Sequence, residues 1–393
     1  MPGLFIFVDL AKYIWLNVIS VIFTQHMHYR FSKKPLIGRG ILVLILCFVI
    51  YLLMVFANHP HAVERYYSNG LYPVICYLLH PVLNLFPFSV GDIVYTVAII
   101  YLLYAIVQLI KLTFKKRFAQ AGTFFLSLVI GIQISILVFY IFWGMNYFRP
   151  SAAERLNLKD STFTTAQLQA VTAILIDSAN NCRARVTPAD LRQNNDTIYH
   201  RALKAVTALS NSSPNFKTYN PGIKPSLLTP LMNYIGTSGY YNPFTTEAQM
   251  NYQMPVFNRP FVACHEMSHQ MGYGAEDEAN FAGYMAATSS KDRLLRYSGY
   301  YLAVQEFMHT MRLTDTVIYK QLKLHISPQV KRDFKAERLY WLSYQNKINV
   351  ITSVFYDNFL KANNQPEGLN TYNRMVSLVM AMYKKKVKSE YVK

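Results

Sequence analysis

Three stretches without one charged residue constrain this chain more than any other feature: residues 41–57, 93–110 and 118–148 contain no Asp, Glu, Lys or Arg. Each approaches or exceeds the ~17–25 residues an α-helix needs to cross a bilayer. Hydrocarbon offers no hydrogen bonds to the backbone, so segments of this kind fold as helices. Spans are therefore expected at about 41–57, 93–110 and 121–146. Overall hydrophobic content is 52%, only slightly above that of a globular chain, so the apolar surplus is local. The chain divides into a membrane domain over residues 1–148 and a folded domain over 149–393, within the ordinary size of one domain.

Residues 4–23 are also apolar, but Asp9 and Lys12 interrupt them, and an interfacial amphipathic helix is expected there rather than a fourth span. The first span lies too far from the N-terminus, and lacks the small-x-small site, to be a cleaved signal peptide. Lys33, Lys34 and Arg39 precede that span, and Lys111, Lys115, Lys116 and Arg117 separate the second from the third, whereas residues 58–92 carry Arg65 as their one Lys or Arg. The positive-inside rule then predicts a cytoplasmic N-terminus, with residues 149–393 on the extracytoplasmic side.

A net charge of +18, from 39 basic and 21 acidic residues, raises the question of nucleic acid, but no recognised binding motif accompanies it. Nucleic acid is set aside as a partner. Part of the excess is the topological charge just named, and Lys384, Lys385, Lys386, Lys388 and Lys393 form a tail suited to anionic headgroups or to solvent.

The chemistry is concentrated in His265-Glu266-Met267-Ser268-His269. On a helix, residues four apart lie above one another, so His265 and His269 can offer their imidazoles to one metal ion while Glu266 handles a proton. Zinc in catalytic sites keeps a third protein ligand and leaves a position for water. The apolar approach Phe261-Val262-Ala263-Cys264 suits a buried helix, and Gly272 and Gly274 supply left-handed positions where it can stop and reverse. Carboxylates follow at once: Glu276, Asp277 and Glu278. An acidic first helical turn answering the macrodipole is the bland reading of all three. Glu276 is favoured as the third ligand because Asn280, four residues on, can steady a ligand from the same face, and Glu278 is the alternative. The small residues of 279–287 suit a close-packed core helix.

Helical patterns cover 164–183, 188–209, 259–271, 275–289, 292–313, 328–362 and 369–386. Residues 211–246, rich in Pro, Gly, Ser and Asn, form an irregular segment whose Tyr219, Tyr234, Tyr240 and Tyr241 suit a cleft wall. Residues 247–255 read as a short edge strand along which an extended peptide could add. Cys182 and Cys264 fall in the extracytoplasmic part, where a disulfide is chemically allowed. Cys264 itself reads as a small packed residue. The pairs His26/His28 and His59/His61 are poor chelates on a helix and suit the membrane boundary. A transition-state donor is sought among Tyr372, Arg374, Tyr301 and His309.

The run from His265 to His269 followed by Glu276-x-x-Ala279-Asn280 resembles the gluzincin metallopeptidases, including membrane-bound heat-shock and CAAX-processing proteases. That resemblance implies zinc held by His265, His269 and Glu276, with Glu266 as general base and Asn280 supporting a ligand. Nearly the whole chain is similar to a group of uncharacterised bacterial membrane proteins with three N-terminal spans and a metallopeptidase-like C-terminal domain. The likeness is carried by Glu64 to Pro73, Pro87 to Asp92, Ser238 to Phe244 and His265 to Phe281. It implies a mainly α chain: three transmembrane helices, then a predominantly helical zincin-like domain with a short edge strand or small sheet. It implies, too, residence in a bacterial inner membrane and a peptide or protein substrate. The alternative function is a non-catalytic zinc-binding envelope sensor or assembly protein. Transport is disfavoured, since the spans hold no charged residue.

Overall fold

The structure is a computed structural model that describes residues 34–158, 162–366 and 375–391. The expected interfacial helix at 4–23, His26, His28, Tyr372, Arg374 and Lys393 lie outside the described residues.

Long apolar helices form where charge is absent. They are α1 (Lys34–Ala57), α3 (Val90–Phe114) and α4 (Phe118–Phe142), and all three are long and apolar enough to cross a membrane. Between α1 and α3 the chain stays helical, through a π-helical segment Val63–Leu71 and then α2 (Tyr72–Leu83). The α3–α4 reversal is tight, with Lys116 in the left-handed region at φ 52°. Inside the bilayer-sized segment, Gln133 donates to the Val43 carbonyl of α1 at 3.0 Å, so this buried amide ties α4 to α1. The third helix ends at Phe142, short of the apolar stretch, and Gly144–Phe148 winds as a 3-10 turn.

The rest of the chain is mostly helical, with a small three-stranded sheet. Side-chain caps start its helices where polar residues interrupt the periodicity. Thr164 and Gln167 form a capping box before α5 (Thr165–Arg185), Asn194 caps α6 (Asn195–Ser212), and Asp292 caps a later helix, α10 (Arg293–Thr314). The expected helix at 188–209 is therefore interrupted, with a 3-10 turn Asp190–Arg192 ahead of the Asn194 cap. The strands are β1 (Ile223–Pro225), β2 (Gly239–Asn242) and β3 (Glu247–Met250), with α7 (Thr229–Ile235) between the first two. Then come α8 (Arg259–Gln270), α9 (Glu276–Ser289), α10, α11 (Thr316–His325), α12 (Pro328–Ser343), α13 (Lys347–Ala362) and α14 (Met375–Tyr391). The helix expected over 328–362 is two helices, because Asn346 makes its own capping box with Asn349 and restarts the chain there.

The strand expected at 247–255 also differs. Its ordered part is β3, and the sheet order β1-β3-β2 puts that strand in the centre, parallel to β1 and antiparallel to β2. Both of its edges are occupied, so no peptide can add there. Among the described residues β2 pairs with one strand only, and it is the strand that meets Glu266, at Gly239.

Leu168, Leu175, Ile176, Phe261, Met267, Phe281 and Phe307 belong to one buried core shared by α5, α6, α8, α9 and α10. A second core, of Val63, Tyr67, Tyr72, Trp143, Tyr147 and Tyr241, joins the segments flanking the long apolar helices to the sheet. The sheet is also fastened to the start of α3. The Glu247 carboxylate accepts from the Val90 and Gly91 amides, at 3.3 and 2.6 Å, and pairs with buried Lys224 at 2.6 Å. An anion at a helix N-terminus meets its positive end. Asp92 accepts in turn from Ser226 and Leu227 beside β1.

Candidate metal centre

Helix α8 stops where glycine allows it to. Gly272 takes φ +79°, and its amide and that of Tyr273 return to the carbonyls of His269 and Ser268. Gly274 has no positive φ; it is needed because a Cβ there would meet the Tyr147 backbone at 3.0 and 3.1 Å. After this reversal α9 runs back against α8. Gly283 makes the approach close, since a Cβ at that position would sit 3.1 Å from the His265 N and Cα.

That packing brings Glu276 to both imidazoles. Its Oε2 lies 3.2 Å from His265 Nε2 and 3.7 Å from His269 Nε2, with all three residues buried. One ligand atom each from His265, Glu266 and His269 also falls within 4.8 Å of the others. Two donors each ~2.0–2.1 Å from a tetrahedral zinc stand about 3.3 Å apart. The observed spacings bracket that value, so the donor set fits such an ion.

Each donor is oriented by a neighbour. His269 Nδ1 lies 2.7 Å from the Tyr273 carbonyl; as donor there it leaves Nε2 with its lone pair toward Glu276. The Tyr356 hydroxyl of α13 donates to Glu276 Oε1 at 2.6 Å, which leaves Oε2 to the imidazoles. Asn280 is a polar neighbour of His265 and contributes to raising its pKa. His265 Nδ1 is a buried nitrogen without a hydrogen-bond partner among the described residues.

The electrostatics divide the four groups. Burial would raise Glu276, but the His265 contact, the two histidines' charge and the Tyr356 bond hold its carboxyl at about 2. Burial pushes His269 down to about 4 against the pull of Glu276. His265 is lowered by burial and raised more strongly by Glu276 and Glu266. Burial pushes Glu266 up to about 8 against the opposing charge of His265. Burial and mutual charge thus push the two carboxyls of the cluster in opposite directions, Glu276 down and Glu266 up.

Glu266 meets the sheet at Gly239 of β2. A Cβ on that residue would collide with the Glu266 carboxylate, reaching its Cδ at 2.8 Å. Glu278, the alternative ligand, points elsewhere: it pairs with Arg155 at 2.9 Å and accepts from the Ala152 amide. Tyr301 lines one cavity with the cluster, but its hydroxyl donates to Glu337 at 2.6 Å, and His309 is exposed beside Arg312. The hydroxyl that reaches the cluster is that of Tyr356, eighty positions beyond Glu276, for which no local pattern gives a signal. Cys182 and Cys264 are separate free thiols, and Cys264 is wholly buried in the core.

The end of α8 is gripped by residues from the segments flanking the long apolar helices. Trp143 Nε1 donates to the His269 carbonyl at 2.9 Å and the Tyr72 hydroxyl to that of Gln270 at 3.0 Å. Arg149 donates to the Gly272 carbonyl at 3.0 Å while its Nε and Nη2 fork onto Glu64 at 2.6 and 2.8 Å. These donors satisfy carbonyls that a helix end leaves open.

Fold and site together define a mainly helical protein with three membrane-length apolar helices and a buried histidine–carboxylate cluster at their junction with a small sheet. The chain belongs to the family described as Protein of unknown function (DUF3810), matched over residues 67–380. That match takes in α3, α4, the sheet and the entire cluster. No curated protein and no solved structure matches the chain.

Proposed function

We propose that this protein is a membrane-anchored zinc-dependent peptidase of gluzincin type, with His265, His269 and Glu276 as ligands and Glu266 as general base. The observation that carries the reading is the spacing of Glu276 Oε2 from the two Nε2 atoms, 3.2 and 3.7 Å, with the remaining oxygen and the His269 Nδ1 engaged elsewhere. Zinc bound there would acidify water and polarise the scissile carbonyl.

The chain's own residues supply the rest. Glu266, whose carboxylate lies among these ligand atoms, takes a proton from the attacking water and hands it to the leaving amine. The water oxygen bonds to the carbonyl carbon as the carbon–nitrogen bond breaks. Tyr356 holds Glu276 in place. The basic residues before α1 and between α3 and α4 support a placement of the domain after α4 on the extracytoplasmic side.

Elemental mass spectrometry on purified protein is the test. Near one zinc per chain is expected in the wild type, with loss in both His269→Ala and Glu276→Ala. Glu266→Gln should keep the metal and lose peptide turnover by roughly 10²–10⁴. Full turnover in Glu266→Gln, or no zinc in wild type purified without chelators, refutes the proposal.

A further inference from the structure

The cluster does not face an ordinary surface cleft. One cavity of about 3550 Å³ contains His265, Glu266, His269 and Glu276 in its lining and continues along both α3 and α4, past Ala98 on the first and Gly131 on the second. The far ends of that lining reach Arg39 and Arg117, at the opposite end of the spans. Along α3 and α4 its walls are overwhelmingly aliphatic and aromatic.

The sheet explains why the groove opens under the cluster. The site-side ends of the two spans are attached to different points of β2 and the turn after it. Tyr95 of α3 packs on Tyr240 at 6.1 Å between centroids and on Phe244, while Trp143 beyond α4 packs on Tyr241 at 4.7 Å and on His269 at 5.6 Å. β2 therefore bridges the gap, with Gly239 against the Glu266 carboxylate. It pairs with β3 on one side, and among the described residues no strand covers its other side.

From this arrangement we infer that the substrate is a membrane-spanning peptide segment that enters sideways from the bilayer between α3 and α4. The inference rests on the peptidase reading and deepens it. The apolar walls follow α3 and α4 from the cluster to Arg39 and Arg117, a length that suits an apolar segment of about 20 residues, and a peptide-cleaving cluster at one end of the groove favours a peptide over an acyl chain. A helix in hydrocarbon keeps its backbone bonds to itself, so cleavage requires that a few residues unwind at the site. The side of β2 that no strand covers among the described residues supplies hydrogen-bond partners to such an extended stretch, beside Glu266 at Gly239. Hydrolysis there is redox-neutral: one carbon–oxygen bond forms, one carbon–nitrogen bond breaks, and Glu266 relays the proton to nitrogen.

The test uses full-length, zinc-loaded protein in proteoliposomes and three synthetic libraries with the same randomised hexapeptide. One carries it beside a 20-residue Leu/Ala span, one beside a palmitoyl anchor, and one in soluble form, with products read by mass spectrometry. The spanning library should be cut at least about tenfold faster than the other two. Ala98→Trp and Gly131→Trp fill the groove far from the ligands, and a Cβ at Gly131 meets nothing within 4 Å. Both should bring cleavage of the spanning library down to the soluble rate while zinc content and soluble cleavage stay unchanged. Equal cutting of the soluble library, or palmitoyl peptides cut as fast as spanning ones, overturns the inference while leaving the peptidase reading intact. If no library is cut, photocrosslinking of the spanning library in Glu266→Gln protein separates the two ideas. Crosslinks to α3 and α4 that Gly131→Trp abolishes would keep the groove as the binding site and reject the peptidase. Their absence would reject both.

Discussion

The two linings of the central cavity are built differently. On one side α8 and α9 are buried along almost their whole length, and the α8 terminus is held by Tyr72, Trp143 and Arg149. On the other, α13 leaves Ile351, Val354 and Phe355 exposed and meets the cluster through the Tyr356 hydroxyl. Glu306 of α10, which also lines the cavity, has its carboxyl pushed up to about 7 by burial. The ligand-bearing side is anchored to the rest of the fold, whereas the other side adjusts the site with a few polar groups. Substitutions on the first should therefore cost stability, and those on the second should change metal affinity or pH response.

The largest effect is expected at Arg149. Its side chain is 7% exposed and forks onto Glu64, whose carboxyl is held below its usual range. Removing one partner of a largely buried pair costs ~3–5 kcal/mol. Arg149→Ala should lower the thermal midpoint by several degrees, and Arg149→Lys, which lacks the planar fork, should recover only part of the loss. An unchanged melting curve would mean that this collar does not support α8.

Tyr356→Phe is the matching change on the other side. Loss of a hydrogen bond that orients a ligand weakens metal binding by roughly 10–100-fold. Chelator competition should show this shift with little change in the thermal midpoint of the metal-free protein. Equal zinc affinity in the variant would remove Tyr356 from the site's design.

Smaller still is the effect of Glu306. Folding raises this carboxyl from its ordinary 4.5 to about 7, so the folded state holds the proton more tightly than the unfolded state. Stability is then greatest at low pH and declines as pH rises from about 4.5 through about 7. Glu306→Gln should flatten that decline by about 1–2 kcal/mol, read from denaturant midpoints at pH 5 and 7.5. A slope identical to wild type would show that Glu306 is solvated.

Much of this was legible locally. Absence of charge located the three long apolar helices, and four-residue spacing put His265 and His269 on one helical face, because both properties depend on neighbours in sequence. Helices beginning at Thr165 and Arg259 followed periodicity, while the breaks at Asn194 and Asn346 followed from side-chain caps that periodicity alone passes over. Glu276 and Glu278 illustrate the limit. They lie two residues apart in one acidic turn, and their fates diverge because one meets the imidazoles and the other meets Arg155, more than 120 positions away in sequence.

Taken alone, the sequence determined a mainly α chain with three apolar helices, an imidazole pair with a carboxylate beside it, and carboxylates just after the helix reversal. Tertiary structure decided which carboxylate turns inward, that Tyr356 reaches it, that β3 is central and β2 meets Glu266, and that the cavity runs on between α3 and α4. The division is physical: caps, charge gaps and helical faces are set within a few residues, whereas strand order and cavity walls arise from packing between segments far apart in the chain.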